Sequence, residues 1–472
     1  MSIFREFLRL ISLRRFSVLY LCYALPSGLF LAIATPPFQT PDALNHFYRA
    51  VQISEGHLVG QRVGRFAGGA VDRGVSTLGA LVNPMRFHPD VKFTSQMRSV
   101  ADATHWSNVQ IDAAFPNTVF YPAYAYLPQA VAIGTGRMFN ATIARTYLLT
   151  CVVDLLISIG LTCWALIVSR RTSLILFATA LLPSTLMLFS SVSQEALVIP
   201  VAFVLIAHLD RFLHDGRRLS WRHLLLAGLG LLLCISARPP YVGVLLVLLC
   251  PGLRVGSTES AYGFWRRVVW IVAVGVVAVA IVEIFSHGLW VPMSSPISAP
   301  GQIAYLLHHP VDVFPIAVAT LKQNAGFYFE SFVGILGWLD TRMSPTYYAA
   351  ARAMFVAVFV ATMFQGRVSE RGLLVNRLLI FVAVLLCVAM IFASLYLTWT
   401  PVGQRVVEGV QGRYFLPLFP LLGLLLPAFI ERGRVPAMAL QFIDSVCIAL
   451  VVVFPLYTFV ELIEAIVVRF YG

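Results

Sequence analysis

Three polar side chains that could act on a phosphate-bearing substrate follow the first hydrophobic stretch of the chain. Asp42, His46 and Arg49 lie four and then three residues apart, so a helix would place all three on one face. Thr40 suits the cap of that helix, and Pro41 suits its first position. An acid, an imidazole and a guanidinium beside a membrane suggest chemistry on a phosphate-bearing lipid. The spacing fits a capped surface helix with ordinary polar residues equally well.

Each of the three side chains has a chemical and a structural interpretation. Asp42 is the candidate general base, because transfer of a sugar to a hydroxyl needs a carboxylate within hydrogen-bond reach. The alternative is an acid favoured in the first helical turn by the helix dipole. His46 could move protons or orient a phosphate, or be an ordinary hydrogen-bonded histidine. Arg49 could bind a phosphate or reach with its long stem towards lipid head groups.

The elements that must position these side chains are membrane helices. The chain has 472 residues, 59% of them hydrophobic and only 12% charged, and its mean hydropathy is +0.81. Apolar runs long enough to span a bilayer recur along it, which excludes a soluble enzyme. No P-loop, dinucleotide fingerprint or HExxH motif is present, so nucleotide-hydrolysing machinery is not indicated. The net charge of +12 follows from basic loops between spans, and no nucleic-acid partner is expected.

The hydrophobic pattern predicts an all-α integral membrane fold with about 11 transmembrane helices in a single polytopic domain, 1–472. A large first extracytoplasmic loop covers 36–145, and a second covers 287–345. The fifth and sixth spans are short and interrupted by Arg238-Pro239-Pro240, which suggests a helical hairpin. The predicted spans are 16–35, 146–168, 172–190, 194–213, 223–237, 240–253, 268–286, 346–364, 376–397, 414–430 and 437–460.

The basic residues predict the orientation of the chain. Most of them lie on one side of the predicted spans, which marks that side as cytoplasmic and places the N-terminus there. Asp42, Arg238, Asp340 and Arg413 then all lie on the opposite, extracytoplasmic side. The basic segments are the N-terminus, Arg170-Arg171, Arg211 to Arg222, Arg254 to Arg267, Arg367 to Arg377 and Arg432 to Arg434.

Other ionisable residues on that side are candidates for the same site. Glu195 begins the fourth span after Gln194; an ionisable residue there is either functional or hydrated among lipid head groups. Arg238 and Arg413 could grip a lipid phosphate through charge-assisted, bidentate hydrogen bonds, or anchor the chain at the interface. Their aromatic neighbours Tyr241 and Tyr414 are candidates for the same phosphate site.

Aromatic and acidic residues in the outer loops add further candidates. Tyr121 and Tyr126 belong to a cluster of aromatics and prolines that could stack on sugars or form an interfacial belt. Asp340 is a candidate second carboxylate or ligand for a divalent metal, with a turn-forming aspartate as the alternative. No other cofactor is indicated. The seven cysteines lie in or beside apolar spans, so neither disulfides nor a zinc site is expected.

The ordered motifs of the chain resemble a known family. The stretch 41–50, followed by Gly56, is similar to the start of a bacterial family of predicted polytopic membrane proteins of unknown function, related to the GT-C glycosyltransferases. The resemblance continues, in order, through 121–128, 238–241, 334–340 and 411–417. It implies a GT-C-like fold in the cytoplasmic (inner) membrane, with Asp42 as the base and outer arginines holding a lipid phosphate. Two departures are Ala43, where the family usually has Glu, and Gln194-Glu195, near which it tends to have Asp.

The leading hypothesis is therefore a GT-C-like glycosyltransferase with Asp42, His46 and Glu195 as candidate catalytic residues. Its partners would be a polyprenyl-phosphate-linked sugar, membrane lipids and a cell-envelope glycan or lipid acceptor. One alternative is a non-catalytic translocator of a lipid-linked glycan, for which polar residues should line several spans. Another alternative is an envelope polysaccharide polymerase or ligase, which would share most of the same features.

Overall fold

The computed structural model describes residues 13–216, 218–255, 261–289, 291, 296–364, 373–427 and 437–472. Several of the basic residues that predict the orientation lie outside the described residues, namely Arg5, Arg9, Arg217, Arg367, Arg371, Arg432 and Arg434. The α-helices are α1 (Leu13–Ala34), α2 (Ala43–Ser54), α3 (Arg73–Val82), α4 (Ser95–Ala103), α5 (Leu127–Met138), α6 (Ile143–Val168), α7 (Ser173–Ala180), α8 (Pro183–Phe189), α9 (Glu195–Asp215), α10 (Trp221–Ala237), α11 (Ala261–Ser286), α12 (Ala299–His308), α13 (Val313–Gly334), α14 (Pro345–Phe364), α15 (Leu373–Thr398), α16 (Leu422–Leu425) and α17 (Ala437–Phe470).

Short 3-10 helices and strands complete the structure. The 3-10 helices are Asn83–Met85, Ala123–Tyr126, Pro239–Leu249, Pro310–Asp312, Gly412–Phe415 and Phe419–Leu421. The strands are β1 (Gln61–Val63), β2 (Phe66–Asp72), β3 (Gln110–Ala114), β4 (Arg218–Leu219), β5 (Arg254–Val255), β6 (Ile335–Leu336) and β7 (Thr341–Arg342).

Seven of the described helices are long and apolar enough to cross a bilayer: α1, α6, α9, α11, α14, α15 and α17. An eighth span results if α12 and α13, which meet at an angle of 101°, count as one broken element. The chain is thus a multi-pass helical membrane protein. The predicted third span, 172–190, is not one helix, because it breaks at Leu181-Leu182 into α7 and α8 before Pro183. In the described part of the predicted tenth span, 414–427, only short helical turns form.

Helix α6 is the centre around which the first half of the chain packs. A polar stripe recurs at every fourth residue and is buried in the protein rather than exposed to lipid. Small residues let neighbouring helices approach this face closely. At Gly28 of α1, an added Cβ would lie only 2.3 Å from Leu155 Cδ1 of α6. The members of the stripe are Thr146, Thr150, Asp154, Ser158 and Thr162.

The first loop folds onto the N-terminal half of α6. Strands β1, β2 and β3 form an antiparallel sheet in that order, with Gly68 opposite Ala114. Helix α5 runs antiparallel to α6, because Gln129 Nε2 donates to Asp154 Oδ2 at 3.0 Å while Gly136 lies against Thr146. The loop is therefore packed against membrane helices and can hold side chains in fixed positions over them.

The predicted hairpin at 223–253 is a helix followed by a long 3-10 segment. Helix α10 ends at Ala237, and the 3-10 helix Pro239–Leu249 packs along α15. Pro239 and Pro240 cannot continue the α-helical hydrogen bonding, so the chain becomes extended at Arg238, with φ −148° and ψ 90°. This break directs the backbone of Arg238 out of the helical path.

Candidate functional site

Asp42 lies just outside helix α2 rather than in its first turn. The helix begins at Ala43, and Asp42 has a left-handed backbone (φ 61°, ψ 8°) that aspartate tolerates better than most residues. The prediction that Thr40 caps a helix starting at Pro41 is therefore wrong. The Asp42 side chain makes no cap; instead its Oδ1 accepts from Asn117 Nδ2 at 2.7 Å.

Asn117 was not found by sequence reasoning, although it orients the candidate base. Its Oδ1 accepts from Asn45 Nδ2 at 2.5 Å, so one amide bridges α2 and the Asp42 carboxylate. These residues are 72 and 75 positions apart from Asn117, and no local pattern connects them. The other carboxylate oxygen, Asp42 Oδ2, lies 3.9 Å from Arg413 Nη2.

Glu195 joins the two predicted phosphate-binding arginines. Its Oε1 accepts from Arg238 Nη2 at 2.8 Å, and its Oε2 lies 3.4 Å from Arg413 Nη1. The Glu195 and Arg413 side chains are only 9% and 11% exposed, whereas the Asp42 side chain is 34% exposed. The cluster thus has a buried acid and an accessible acid, which face the same guanidinium.

Tyr414 lies against both arginines. The Arg238 guanidinium carbon is 4.1 Å from the centre of the Tyr414 ring, and that of Arg413 is 5.6 Å away. The Tyr241 hydroxyl donates to the Tyr414 backbone oxygen at 2.9 Å. The tyrosines predicted beside the arginines therefore form a wall of the same site, and Tyr241 fixes the backbone that carries Arg413 and Tyr414.

His46 packs with the aromatic cluster of the first loop. Its Nδ1 shares a 2.6 Å hydrogen bond with the Tyr126 hydroxyl, and its ring is parallel to that of Tyr121 with centroids 6.2 Å apart. Burial lowers the pKa of His46 to about 4, so the imidazole is neutral at pH 7. Burial also raises the pKa of Tyr121 and Tyr126, and both phenols stay protonated. His46 therefore adds no charge to the site at neutral pH.

The electrostatics of the cluster favour the charged guanidinium of Arg413. Burial opposes its charge, but the carboxylates of Glu195 and Asp42 outweigh burial, and the pKa of Arg413 is raised. Two carboxylates and two guanidinium groups thus form an ion-pair network of zero formal charge. They come from four separate segments: the residue before α2, the start of α9, the break after α10 and the 3-10 helix Gly412–Phe415.

Arg49 does not contribute to a phosphate site, which corrects the prediction from helical spacing. It is fully buried and donates to Gln52 Oε1 at 2.5 Å, to the Leu58 oxygen at 2.7 Å and to the Tyr121 oxygen at 3.0 Å. Burial lowers its pKa to about 10. Because its donors are taken by protein oxygens, Arg49 holds the first-loop backbone at Tyr121 in place.

Asp340 lies away from this cluster and does not act as a second carboxylate. Its Oδ2 accepts from Arg469 Nη2 at 2.8 Å, and its Oδ1 accepts from the Trp338 backbone nitrogen at 3.1 Å. Across the described ranges, no group of three or more His, Cys, Asp or Glu side chains could hold a metal ion. The candidate metal role of Asp340 therefore has no set of ligands around it, and the residue secures the turn as an ion-paired aspartate.

Further hydrogen bonds fix the backbone on either side of Glu195. Gln129 Nε2 bridges Asp154 Oδ2 and the Ser193 oxygen, at 3.0 and 3.2 Å. Ser158 Oγ donates to the Ala196 oxygen at 2.5 Å. The polar stripe of α6 thus holds the turn that begins α9, and Glu195 with it. A buried acid within a long apolar run is the only sequence signal for these hydrogen bonds.

Comparison with known proteins identifies a family but no closer relative. The family model described as "Predicted membrane protein (DUF2142)" matches residues 25–422, which include every residue of the cluster. The searches of curated proteins and of solved structures give no match. The match covers most of the chain and agrees with the ordered motifs from Pro41 to Pro417. The chain therefore belongs to the DUF2142 family of predicted membrane proteins.

Proposed function

We propose that this chain is a GT-C-like membrane glycosyltransferase. It would move a sugar from a polyprenyl-phosphate donor to a cell-envelope glycan or lipid acceptor. The site would lie on the extracytoplasmic side of the bacterial cytoplasmic membrane, in a chain with a cytoplasmic N-terminus and about 11 spans once shorter and broken elements are counted. One observation carries it: a partly exposed carboxylate and two largely enclosed arginines from distant segments meet at one point.

Asp42 is the general base in this proposal. The acceptor hydroxyl attacks the anomeric carbon of the donor, and Asp42 Oδ2 takes the hydroxyl proton as the new glycosidic bond forms. Asn117 holds the other oxygen, so the carboxylate has a fixed direction. Its 34% exposure supports this choice over Glu195, because an acceptor has to reach the base from outside.

The arginine pair, Arg238 and Arg413, stabilises the leaving group. As the bond between the anomeric carbon and the phosphate oxygen breaks, its electron pair remains on the lipid phosphate, and negative charge increases there. Charge-assisted hydrogen bonds from guanidinium groups stabilise such oxygens strongly in a buried site. His46 is neutral and positions Tyr126, while Tyr121 lies next to it as a surface on which a sugar can stack.

The test compares Asp42→Asn with Asp112→Asn, an exposed aspartate of the same loop. Membranes carrying each variant receive a radiolabelled polyprenyl-phosphate sugar, and label in the envelope fraction is measured. Loss of the base should lower transfer about a thousandfold, whereas Asp112→Asn should match wild type. Full transfer by Asp42→Asn would refute the proposal. Movement of a lipid-linked glycan across vesicles without bond transfer would favour the translocator.

A further inference from the structure

The binding position of a phosphate between the two arginines is already occupied by a carboxylate of the protein. We propose that Glu195 is a built-in counter-ion, which the donor phosphate displaces on binding and which returns to help expel the lipid phosphate after transfer. This inference rests on the proposed function, because it concerns the ligand of the same arginine pair.

The geometry of Glu195 resembles that of a bound phosphate. Each of its oxygens faces a different guanidinium, at 2.8 Å for Arg238 and 3.4 Å for Arg413. Two phosphate oxygens bridge two arginines in the same manner. The side chain and the ligand would therefore compete for the same donors, and both cannot hold them fully at once.

Charge balance gives the reason why Glu195 must move. The network is neutral with two acids and two arginines, and the neighbouring His46, Tyr121 and Tyr126 are uncharged at pH 7. A donor phosphodiester brings one further negative charge. Leaving that charge unpaired in a site of low polarity is costly, whereas moving the Glu195 carboxylate away from the arginines leaves them paired with the phosphate and with Asp42.

The backbone around Glu195 allows this movement without refolding. The Ser193 hydroxyl accepts from the Glu195 backbone nitrogen at 3.2 Å, and Ser158 holds the oxygen of Ala196. These contacts fix the start of α9 but leave the carboxylate bound only through the arginines among the described hydrogen bonds and ion pairs. The proposed movement is therefore a change of the Glu195 side-chain rotamer on a fixed backbone.

The return of Glu195 would act on the product. The leaving lipid phosphate is a monoester with up to two negative charges, so it binds the arginine pair more strongly than the diester donor does. A tethered carboxylate beside the same guanidinium groups competes with this product at a high effective concentration. Glu195 would thus weaken binding and speed product release.

The experiment measures binding of farnesyl phosphate, a short polyprenyl phosphate, to the purified full-length protein in detergent. Glu195→Gln should bind it about tenfold more tightly than wild type, within the usual range for a coupled site. The matched control is Glu330→Gln, which removes a carboxylate that pairs with Arg342 at the same 2.8 Å distance in a more exposed position. This control should bind as wild type does, and inorganic phosphate should bind each protein more weakly than the lipid.

Separate outcomes overturn the inference and the proposed function. If Arg413→Gln abolishes binding but Glu195→Gln binds no more tightly than wild type, Glu195 is not a displaced counter-ion, although the phosphate site stands. If wild type binds no farnesyl phosphate and Arg413→Gln changes nothing, the phosphate site itself is refuted. Should Glu195→Gln fail to fold, Glu195→Asp withdraws the carboxylate by one methylene. It should also tighten binding, and weaker binding would overturn the inference.

Discussion

Two clusters in this chain pair arginine with carboxylate side chains, but they differ in exposure and in their backbone contacts. In the Asp340 cluster, Arg469 also donates to the Met85 oxygen at 2.6 Å, and both side chains are under 10% exposed. The Asp42 cluster consists of Asp42, Glu195, Arg238 and Arg413. Its charged groups face one another, and the Asp42 side chain is partly exposed. A charged pair enclosed by backbone partners connects segments of the fold, whereas a pair with an open side is accessible from outside the protein. Access and backbone pairing, rather than residue type, therefore separate the two clusters.

The largest contrast in stability is expected between Asp340→Asn and Asp42→Asn. Removing the charge of Asp340 leaves Arg469 buried without its counter-ion and should cost about 3 kcal/mol of unfolding free energy. Asp42→Asn should cost less than about 1 kcal/mol, because its partner Arg413 keeps Glu195. Thermal unfolding in detergent measures both. Equal destabilisation by the two variants would contradict the distinction between a closed and an open cluster.

A smaller effect on the free energy of unfolding is expected from the titration of His46, which lies beside the Asp42 cluster. Its pKa is about 4 in the folded protein and near 6.5 in the unfolded chain, so the unfolded chain binds the proton first as pH falls. The stability that neutral His46 contributes is present above pH 6.5 and is lost between 6.5 and about 4. From pH 7 to pH 5 this loss should be about 2 kcal/mol. In His46→Gln, this part of the pH dependence of thermal unfolding should disappear.

The smallest effect is expected from the aromatic ring in each cluster. Tyr414→Leu removes the ring beside Arg238 and Arg413 and should weaken farnesyl phosphate binding about fivefold, as for about 1 kcal/mol of cation–π interaction. Trp338→Leu is the matched variant, because the Arg86 guanidinium lies 3.8 Å from the Trp338 ring near Asp340. It should leave phosphate binding unchanged. A similar loss in both variants would indicate a general effect on folding.

Much of the candidate site could be predicted because membrane topology restricts where loops meet. The positions of Arg238 and Arg413 at the ends of predicted spans place both on the side of Asp42, and the structure brings them together. The same argument places Asp340 on that side, but it does not identify the residue with which Asp340 forms an ion pair. Arg469 follows a long apolar run near the C-terminus, and nothing in the local sequence connects it to Asp340.

Helical spacing predicts that His46 and Arg49 share a face of α2, and the first loop covers both side chains. It could not show that the donors of Arg49 end on backbone oxygens such as that of Tyr121, because that contact depends on the fold of the loop. The breaks within 172–190 and after residue 414 were also missed. Hydropathy measures how apolar a segment is, whereas the break before Pro183 depends on local backbone geometry.

The left-handed backbone of Asp42 has a consequence for saturation mutagenesis. At a positive φ, glycine and asparagine are accommodated with little strain, while branched and bulky residues are not. A library at this position would therefore sort into two groups of defective variants. Under the proposed function, glycine and asparagine would be well expressed but inactive, whereas valine or isoleucine would be depleted before any assay of transfer. Even glutamate, which keeps the charge, would have to adopt an unfavourable conformation, so loss of function there would report the backbone as well as the carboxylate.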